Sequence, residues 1–389
     1  MRIALGQINT TVGDLAGNVA LAVRFAGEAA ARGADLIVFP ELSITGYPPR
    51  DLVEKRSFAG QSEAALAKLA DATKDLPLAV IAGYVGQSPI PTGKQSTNSA
   101  AILCGGQVVL RQNKILLPTY DVFDEARNFM PGDAQSLWPI NGEQLALTIC
   151  EDAWNDQRFW RHPLYTRDPV EELVQRGGTI AVSINASPFH LGKRALRIDM
   201  FRAMARRHKV PFVVVNQVGG NDQVVFDGSS FVMDAEGRVI ASAASFREDL
   251  IIADLGSGTG DQSASLLDDE AEAVYEALVL GTRDYIRKCG FKQVLIGLSG
   301  GIDSSLTAAI AVDAVGHENV RGVAMPGPFS SDHSVRDAKE MAERLEIRFD
   351  IVPITPAYEE MLRTLAPVFE GRKPDVAEEN IQARLRGLT

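Results

Sequence analysis

The chain has 389 residues, 46% apolar and 23% charged, with a formal net charge of −11 and a pI near 5.1. That length exceeds one ordinary domain, the composition excludes a disordered or fibrous chain, and the negative charge opposes nucleic-acid partners, whose affinity comes largely from neutralised phosphates. No apolar run reaches the roughly 20 residues that cross a bilayer, and MRIALGQINTTVGD has no basic segment leading into a long apolar core. A cytoplasmic location with no membrane partner is expected.

Through residue 255 short apolar runs alternate with amphipathic or Ala-rich stretches. Strands are predicted at 2–8, 35–39, 78–85, 99–103, 107–111, 146–150, 179–185, 212–217, 228–233 and 250–254, and helices at 18–32, 61–73, 169–176 and 193–208. Many strands are Val/Ile/Leu runs without polar alternation, which calls for cover on both faces. The turns CGGQV and DAEGR put antiparallel hairpins among the parallel units. An α/β layered sandwich over residues 1–256 follows. GSGTGDQSAS then reads as a linker, 257–267. Beyond it, residues 268–389 open with an acidic-capped helix, continue through VLIGLSGGIDSSLTAAIAVDAV as strand, Gly-rich turn and helix, and add strands in VRGVAMP and FDIVPI. This is the opening half of a second α/β domain.

Glu41 in DLIVFPELSITGYP, Lys114 in VVLRQNKILLP and Cys150 in LALTICEDAW fall just past predicted strand ends, where α/β sheets gather their chemistry. A thiol nucleophile needs a base, a carboxylate can serve, and an ammonium stabilises the oxyanion formed on attack at a carbonyl. Taken singly, a cysteine after an apolar run is more often a small buried hydrophobe, and most Glu and Lys side chains are solvated. Context argues otherwise here: Pro40 breaks the strand before Glu41, and ICEDAW sets two carboxylates beside the thiol. Cys104 and Cys289 lack such a setting and are read as structural. Three scattered cysteines form neither a disulfide framework nor a zinc pattern.

FPELSITGY, NKILLP and ICEDAW resemble, in order and approximate spacing, the three catalytic motifs of the nitrilase, or carbon–nitrogen hydrolase, superfamily over about residues 1–255. The resemblance implies an αββα sandwich with Glu41 as general base, Cys150 as nucleophile, and Lys114 with the backbone N–H of Glu151 as oxyanion donors. Ammonia would leave and a thioester would remain on Cys150. Glu125, in VFDEARNF, resembles the family's additional loop carboxylate, which implies that it positions glutamine and Lys114; by itself it reads equally as an exposed loop acid.

In VLIGLSGGIDSSL, glycines and hydroxyls between a strand and a helix let backbone N–H groups meet a phosphate. No lysine follows the glycines, so this is not a Walker A loop. Gly297, Leu298, Ser299, Gly300, Gly301, Ile302, Asp303 and Ser304 carry the SGGxDS pattern and resemble the ATP pyrophosphatases. That resemblance implies ATP as substrate, cleavage between its α and β phosphates, and Mg2+ held by Asp303, which alternatively is a helix N-cap.

A nitrilase-type glutaminase followed by this loop resembles the glutamine-dependent NAD+ synthetases. The resemblance implies that glutamine is hydrolysed and that its ammonia amidates adenylated deamido-NAD+, in a homo-oligomer with no prosthetic group. Tyr120, Ser187 and Lys193 would bind glutamine, and Asn380 and Arg384 in ENIQAR the dinucleotide. Without the resemblance, SPFHLGKR is an ordinary loop and helix start, and Asn380 and Arg384 a solvated helix face. The sequence stops shortly after ENIQAR, whereas the family continues with further strands and a TGN motif. The synthetase segment is therefore expected to be incomplete, with its own activity in question and an apolar sheet edge left open, and the glutaminase segment complete. Two other readings remain: a stand-alone amidase with a vestigial C-terminal segment, and a non-catalytic assembly subunit.

Overall fold

In the first strand, β1 (Arg2–Gln7), Ile3 and Leu5 enter one apolar core and Ala4 another. In β2 (Leu36–Val38), Leu36 and Val38 go one way and Ile37 the other. Successive strand side chains point to opposite faces, so an unbroken apolar run is what a strand covered on both sides needs. The computed structural model describes residues 1–88, 90, 93–263, 269–369, 371, 373 and 375–389, and the chain divides into two units, Met1–Ala277 and Leu278–Thr389.

The first unit continues with β3 (Ala79–Gln87), β4 (Ser96–Cys104), β5 (Gln107–Asn113), β6 (Leu137–Ile140), β7 (Glu143–Ile149), β8 (Ile180–Asn185), β9 (Phe212–Asn216), β10 (Val218–Asn221), β11 (Val224–Asp227), β12 (Phe231–Met233), β13 (Val239–Ser242), β14 (Asp249–Asp254) and β15 (Thr259–Gly260). One sheet runs β15-β14-β1-β2-β3-β4-β5 and a second β13-β12-β9-β8-β7-β6, while β10 and β11 pair as a hairpin. The centres, β1-β2-β3 and β7-β8-β9, are parallel. Leu36 and Ile81 of one sheet share a core with Leu147, Val182 and Val213 of the other. Outside the first sheet, α1 (Leu15–Ala31) and α2 (Arg56–Ala72) bury Phe25, Leu66 and Leu69 against Ile37 and Val80. Two short helices, α3 (Glu125–Asn128) and α4 (Glu151–Trp154), occupy strand ends. Outside the second sheet, α5 (Pro169–Gln175) and α6 (Lys193–His208) set Val170, Met200 and Phe201 on Phe212 and Val214. Each such fully buried apolar side chain stabilises the unit by about 1.5–3 kcal/mol. The layers are αββα, as expected.

Several features differ from the sequence prediction. β6 contains Pro139, which donates no backbone hydrogen bond and is tolerated because β6 is the sheet's edge. The β10–β11 hairpin reads as a loop because of Gly219, Gly220 and Asn221. Gly228, placed in a strand by its sequence, has φ +63° and lies before β12. Thr259–Gly260, expected in the linker 257–267, pairs with Ala253 and Asp254 as β15; residues 264–267 of that linker, and residue 268, lie outside the described residues.

The division between units falls within α7 (Glu270–Lys288). The second unit holds β16 (Val294–Gly297), α8 (Ile302–Val315), β17 (Val320–Ala324), α9 (Asp332–Arg344), β18 (Arg348–Ile351), α10 (Thr355–Phe369) and α11 (Val376–Leu388). Its strands form a parallel sheet in the order β16-β17-β18. Leu298, Ala308 and Ala311 pack with Val320, Ala338 and Ile347. β16 is at the edge, with Leu295 66% exposed. Among the described residues, no helix is long and apolar enough to cross a membrane.

Candidate active site

Phe39-Pro40-Glu41 turns away from the end of β2, and β3 passes close against it. A Cβ on Gly83 would sit 2.1 Å from Leu42 N and 2.7 Å from the Glu41 carbonyl carbon, so glycine is what permits the approach. Glu41 is fully buried. Its Oε1 accepts from Lys114 Nζ at 2.8 Å and Asn98 Nδ2 at 2.7 Å, and its Oε2 from the Ala186 N–H at 2.9 Å. Lys114 leaves β5 directly, its N–H donating to Asn98 O at 2.8 Å and its carbonyl accepting from Gly132 N at 2.7 Å. Its ammonium also donates to Glu125 Oε1 at 2.8 Å. Glu125 is buried rather than an exposed loop acid. Tyr47 Oη donates to its Oε1 at 2.8 Å and Asn98 Nδ2 to its Oε2 at 3.2 Å. Two carboxylates thus share one buried ammonium.

Cys150 follows β7 at φ +45° and ψ −99°, a sparsely populated backbone conformation that costs on the order of 1–3 kcal/mol. Its N–H donates to Ile184 O at 2.8 Å and its carbonyl accepts from Ala153 N at 2.9 Å. Asp152 braces this turn: Oδ1 accepts from Ile115 N at 3.0 Å and Leu116 N at 2.8 Å, and Oδ2 from Ile149 N at 3.2 Å. One buried carboxylate therefore ties the segment after Lys114 to the turn that carries the thiol. Burial pushes the Cys150 thiol well above the usual range, Glu41 adding to the rise and Lys114 opposing it. Burial works against the charged form of Lys114, but Glu125 and Glu41 outweigh it and hold its pKa well above the usual value. Burial also pushes Glu125 up to about 7 against the pull of Lys114. The resting state is a neutral thiol beside a charged lysine.

Cys150 lines a cavity of about 300 Å³ with Tyr120, Glu151, Trp154, Ser187 and Lys193 among its walls. The Glu151 carboxylate accepts from Tyr120 Oη at 2.9 and 3.0 Å and also from the Tyr165 hydroxyl. Burial raises its pKa, opposed by Lys114 and the two phenols. Lys193 opens α6 with its ammonium 5.4 Å from the centroid of Trp154. Burial, reinforced by Arg197, lowers its pKa. The cavity therefore presents a carboxylate and an amine together with a thiol, and the Glu151 N–H, in the first turn of α4, has no intrahelical acceptor.

In the second unit the turn from β16 to α8 holds Gly300 at φ +81°, where a Cβ would lie 2.4 Å from Ser334 O. Ser304 Oγ donates to Gly301 O at 2.9 Å and lies 3.1 Å from Ser299 Oγ. A cavity of about 420 Å³ opens beside Gly297, Leu298, Ser299, Met325, Ser334 and Arg386. Gly301 precedes α8, so Asp303 is its second residue rather than its cap, and Asp303 is exposed.

Glu41, Lys114, Glu125 and Cys150 are brought together, and Tyr120, Glu151, Ser187 and Lys193 surround the thiol's cavity. Asn380 and Arg384 are not brought to the second unit's cavity; both are exposed on α11, whose Arg386 lines it instead, donating to Met325 O at 3.0 Å and Ser330 Oγ at 3.3 Å. Cys104 and Cys289, expected to be structural, are exposed. Sequence reasoning missed Tyr47, Asn98, Asp152 and Tyr165. Tyr47 and Asp152 stand inside the motifs FPELSITGY and ICEDAW. Asn98 had a signal of its own, a polar STNS run leading into an apolar strand.

Among family profiles, carbon-nitrogen hydrolase matches residues 2–263 and NAD synthase residues 274–389. The glutamine-dependent NAD(+) synthetase of Synechocystis is 43% identical over 392 residues, covering 99% of this chain and 70% of its own length. That of Thermotoga maritima is 38% identical over 426 residues, covering 100% and 71%. Among solved structures, the glutamine-dependent NAD+ synthetase of Acinetobacter baumannii in complex with ADP superimposes with a TM-score of 0.89 at 36% identity, covering 100% of this chain and 71% of that one. The class is thus a carbon–nitrogen hydrolase joined to an NAD synthase. The chain belongs to the family of glutamine-dependent NAD+ synthetases.

Proposed function

We propose that the chain hydrolyses glutamine at Glu41, Lys114 and Cys150 and that the ammonia serves the ATP-dependent amidation of deamido-NAD+ to NAD+. What carries the reading is the buried ammonium shared by Glu41 and Glu125 beside a neutral thiol. Glu41 takes the thiol proton as sulfur attacks the carboxamide carbon. The oxyanion is met by Lys114 Nζ and the Glu151 N–H; because the carboxylates keep Lys114 charged, it acts as a donor and not as the base. Glu41 returns the proton to the departing nitrogen, ammonia leaves, and a thioester forms on Cys150. Water then gives a proton to Glu41 and adds to the thioester; glutamate is released as Glu41 passes that proton to the departing Cys150 sulfur.

Glutamine is a zwitterion beyond its amide, so its site needs both charges. Lys193 suits the α-carboxylate and the Glu151 carboxylate the α-ammonium, with the Tyr120 and Ser187 hydroxyls beside them. In the second unit, Gly297 to Ser304 would hold the phosphates of ATP while the pyridine carboxylate is adenylated and pyrophosphate released; ammonia attack on that anhydride expels AMP. Asp303 offers a hard oxygen on the exposed first turn of α8, and among the described residues no cluster of three metal-binding side chains accompanies it. That fits Mg2+ held chiefly by phosphate oxygens plus one carboxylate, where it would neutralise phosphate charge. Asn380 and Arg384 are the candidates for the dinucleotide. The reading carries with it small-molecule substrates, a cytoplasmic location and a homo-oligomer.

The test is peptide mapping after exposure to a diazo-ketone analogue of glutamine, with glutamine as competitor. A single adduct on Cys150, suppressed by glutamine, is expected. Equal labelling of Cys104 and Cys289, or no adduct on folded protein, overturns the glutamine assignment in favour of another amide or of a non-catalytic role.

A further inference from the structure

Asn98 stands in β4, fully buried, and its one amide nitrogen donates to Glu41 Oε1 at 2.7 Å and Glu125 Oε2 at 3.2 Å. A carboxamide nitrogen has two hydrogens, so these bonds use both. The Oδ1 of the same amide is buried with no hydrogen-bond partner among the described residues. Rotating the amide would turn that oxygen onto two carboxylates. Buried acceptors without partners are rare and destabilising; this amide is held for its nitrogen.

The lone pairs of Glu41 can be counted. Each carboxylate oxygen has two. On Oε1 they are taken by Lys114 Nζ and Asn98 Nδ2, whereas Oε2 receives, among the described residues, only the Ala186 N–H. A proton arriving from Cys150 therefore has its place on Oε2. Lys114 alone could not arrange this, because its charge is divided with Glu125. A neutral donor that touches both acids stabilises their ionised forms without adding a second cation. We propose that Asn98 is a positioning residue: it fills the second lone pair of Glu41 Oε1 and so directs the thiol proton to Oε2. The inference rests on Glu41 and Cys150 acting as base and nucleophile.

Hydrogen bonds to a carboxylate favour its charged form, so losing this donor should move the acid limb of the rate profile upward. In Asn98→Leu, glutamine hydrolysis is expected to fall by up to about tenfold on the acid side of the profile, the loss that a one-unit shift of the limb produces. The acid limb of kcat/KM should move up by about one pH unit, with activity recovering as pH rises. Asn98→Asp, nearly isosteric but a third acid, should move the limb the same way. A merely structural Asn98 would lower the rate at every pH with the limb unmoved; that result, or unchanged kinetics, overturns the proposal. The pH dependence of Cys150 alkylation by iodoacetamide, mapped by mass, reads the same limb without glutamine turnover, with Glu41→Gln as reference. If Glu41→Gln leaves that limb where it is in the unsubstituted protein, the base assignment fails and this inference with it. If Glu41→Gln moves it and Asn98→Leu does not, Asn98 alone is excluded.

Discussion

Replacing Lys114 with methionine keeps most of the side chain's bulk and deletes the charge that two buried carboxylates share. Both Nζ contacts are 2.8 Å and the side chain has no exposure, so the remaining acids cannot turn to water. Breaking a buried ion pair from one side costs about 3–5 kcal/mol if the leftover charge persists. The acids escape part of that by taking up a proton that the unfolded chain releases. From an unfolded carboxyl pKa of 4.5, holding one extra proton costs about 1.4 kcal/mol at pH 5.5 and about 3.4 kcal/mol at pH 7, at 1.36 kcal/mol per unit. The sign is that of an acid whose folded pKa is raised: stability is intact below about pH 4.5 and is lost as pH climbs toward the folded pKa. Lys114→Met should therefore be destabilised by about 3 kcal/mol at pH 7 and by less than half of that at pH 5.5. Urea unfolding followed by tryptophan fluorescence measures this in the relevant unit, because Trp138, Trp154 and Trp160 all lie in the first. A loss below about 1 kcal/mol, or one equal at both pH values, would refute the shared-ammonium argument.

Lys193→Met should raise KM for glutamine by about 10- to 100-fold, the worth of one charge-assisted hydrogen bond, with a much smaller change in kcat; initial-rate kinetics in which kcat falls and KM stays put would instead make Lys193 part of the chemistry. Gly300→Ala forces a Cβ to 2.4 Å from a backbone oxygen at positive φ and should destabilise the second unit by about 2 kcal/mol or more while weakening ATP binding by calorimetry. Wild-type ATP affinity together with an unchanged thermal transition would show that the loop tolerates another shape.

The fold was legible where chemistry and period coincide. The apolar runs of β1, β2, β8 and β9 carry no polar alternation because helices cover one face and a second sheet the other, and that is visible in the letters alone. β6 and β15 were not, since two residues of β15 have no period and Pro139 in β6 is acceptable only at an edge. The reactive residues stood out because strand ends concentrate them, but their supporting groups come from distant segments. Asn98 reaches Glu41 across 57 residues and Ala186 across 145. Nothing local in STNS says which carboxylate its amide will meet. The face of α11 is hard to read for the opposite reason: Asn380, Arg384 and Arg386 are all polar, and only packing decides that Arg386 lines the second unit's cavity.

The double cover of the central strands also bears on how this protein can change. Leu36, Ile37 and Val38 are all without exposure, so β2 has no side on which a substitution is free of a packed neighbour, and altered volume is felt by a helix layer or by the opposite sheet. Sequence drift is thereby steered away from the scaffold and into segments that wall the cavity, among them 120–123 and 187–193. Selection for a different amide would find its variation in those two segments, with Glu41, Lys114 and Cys150 carried unchanged on strands that cannot readily move.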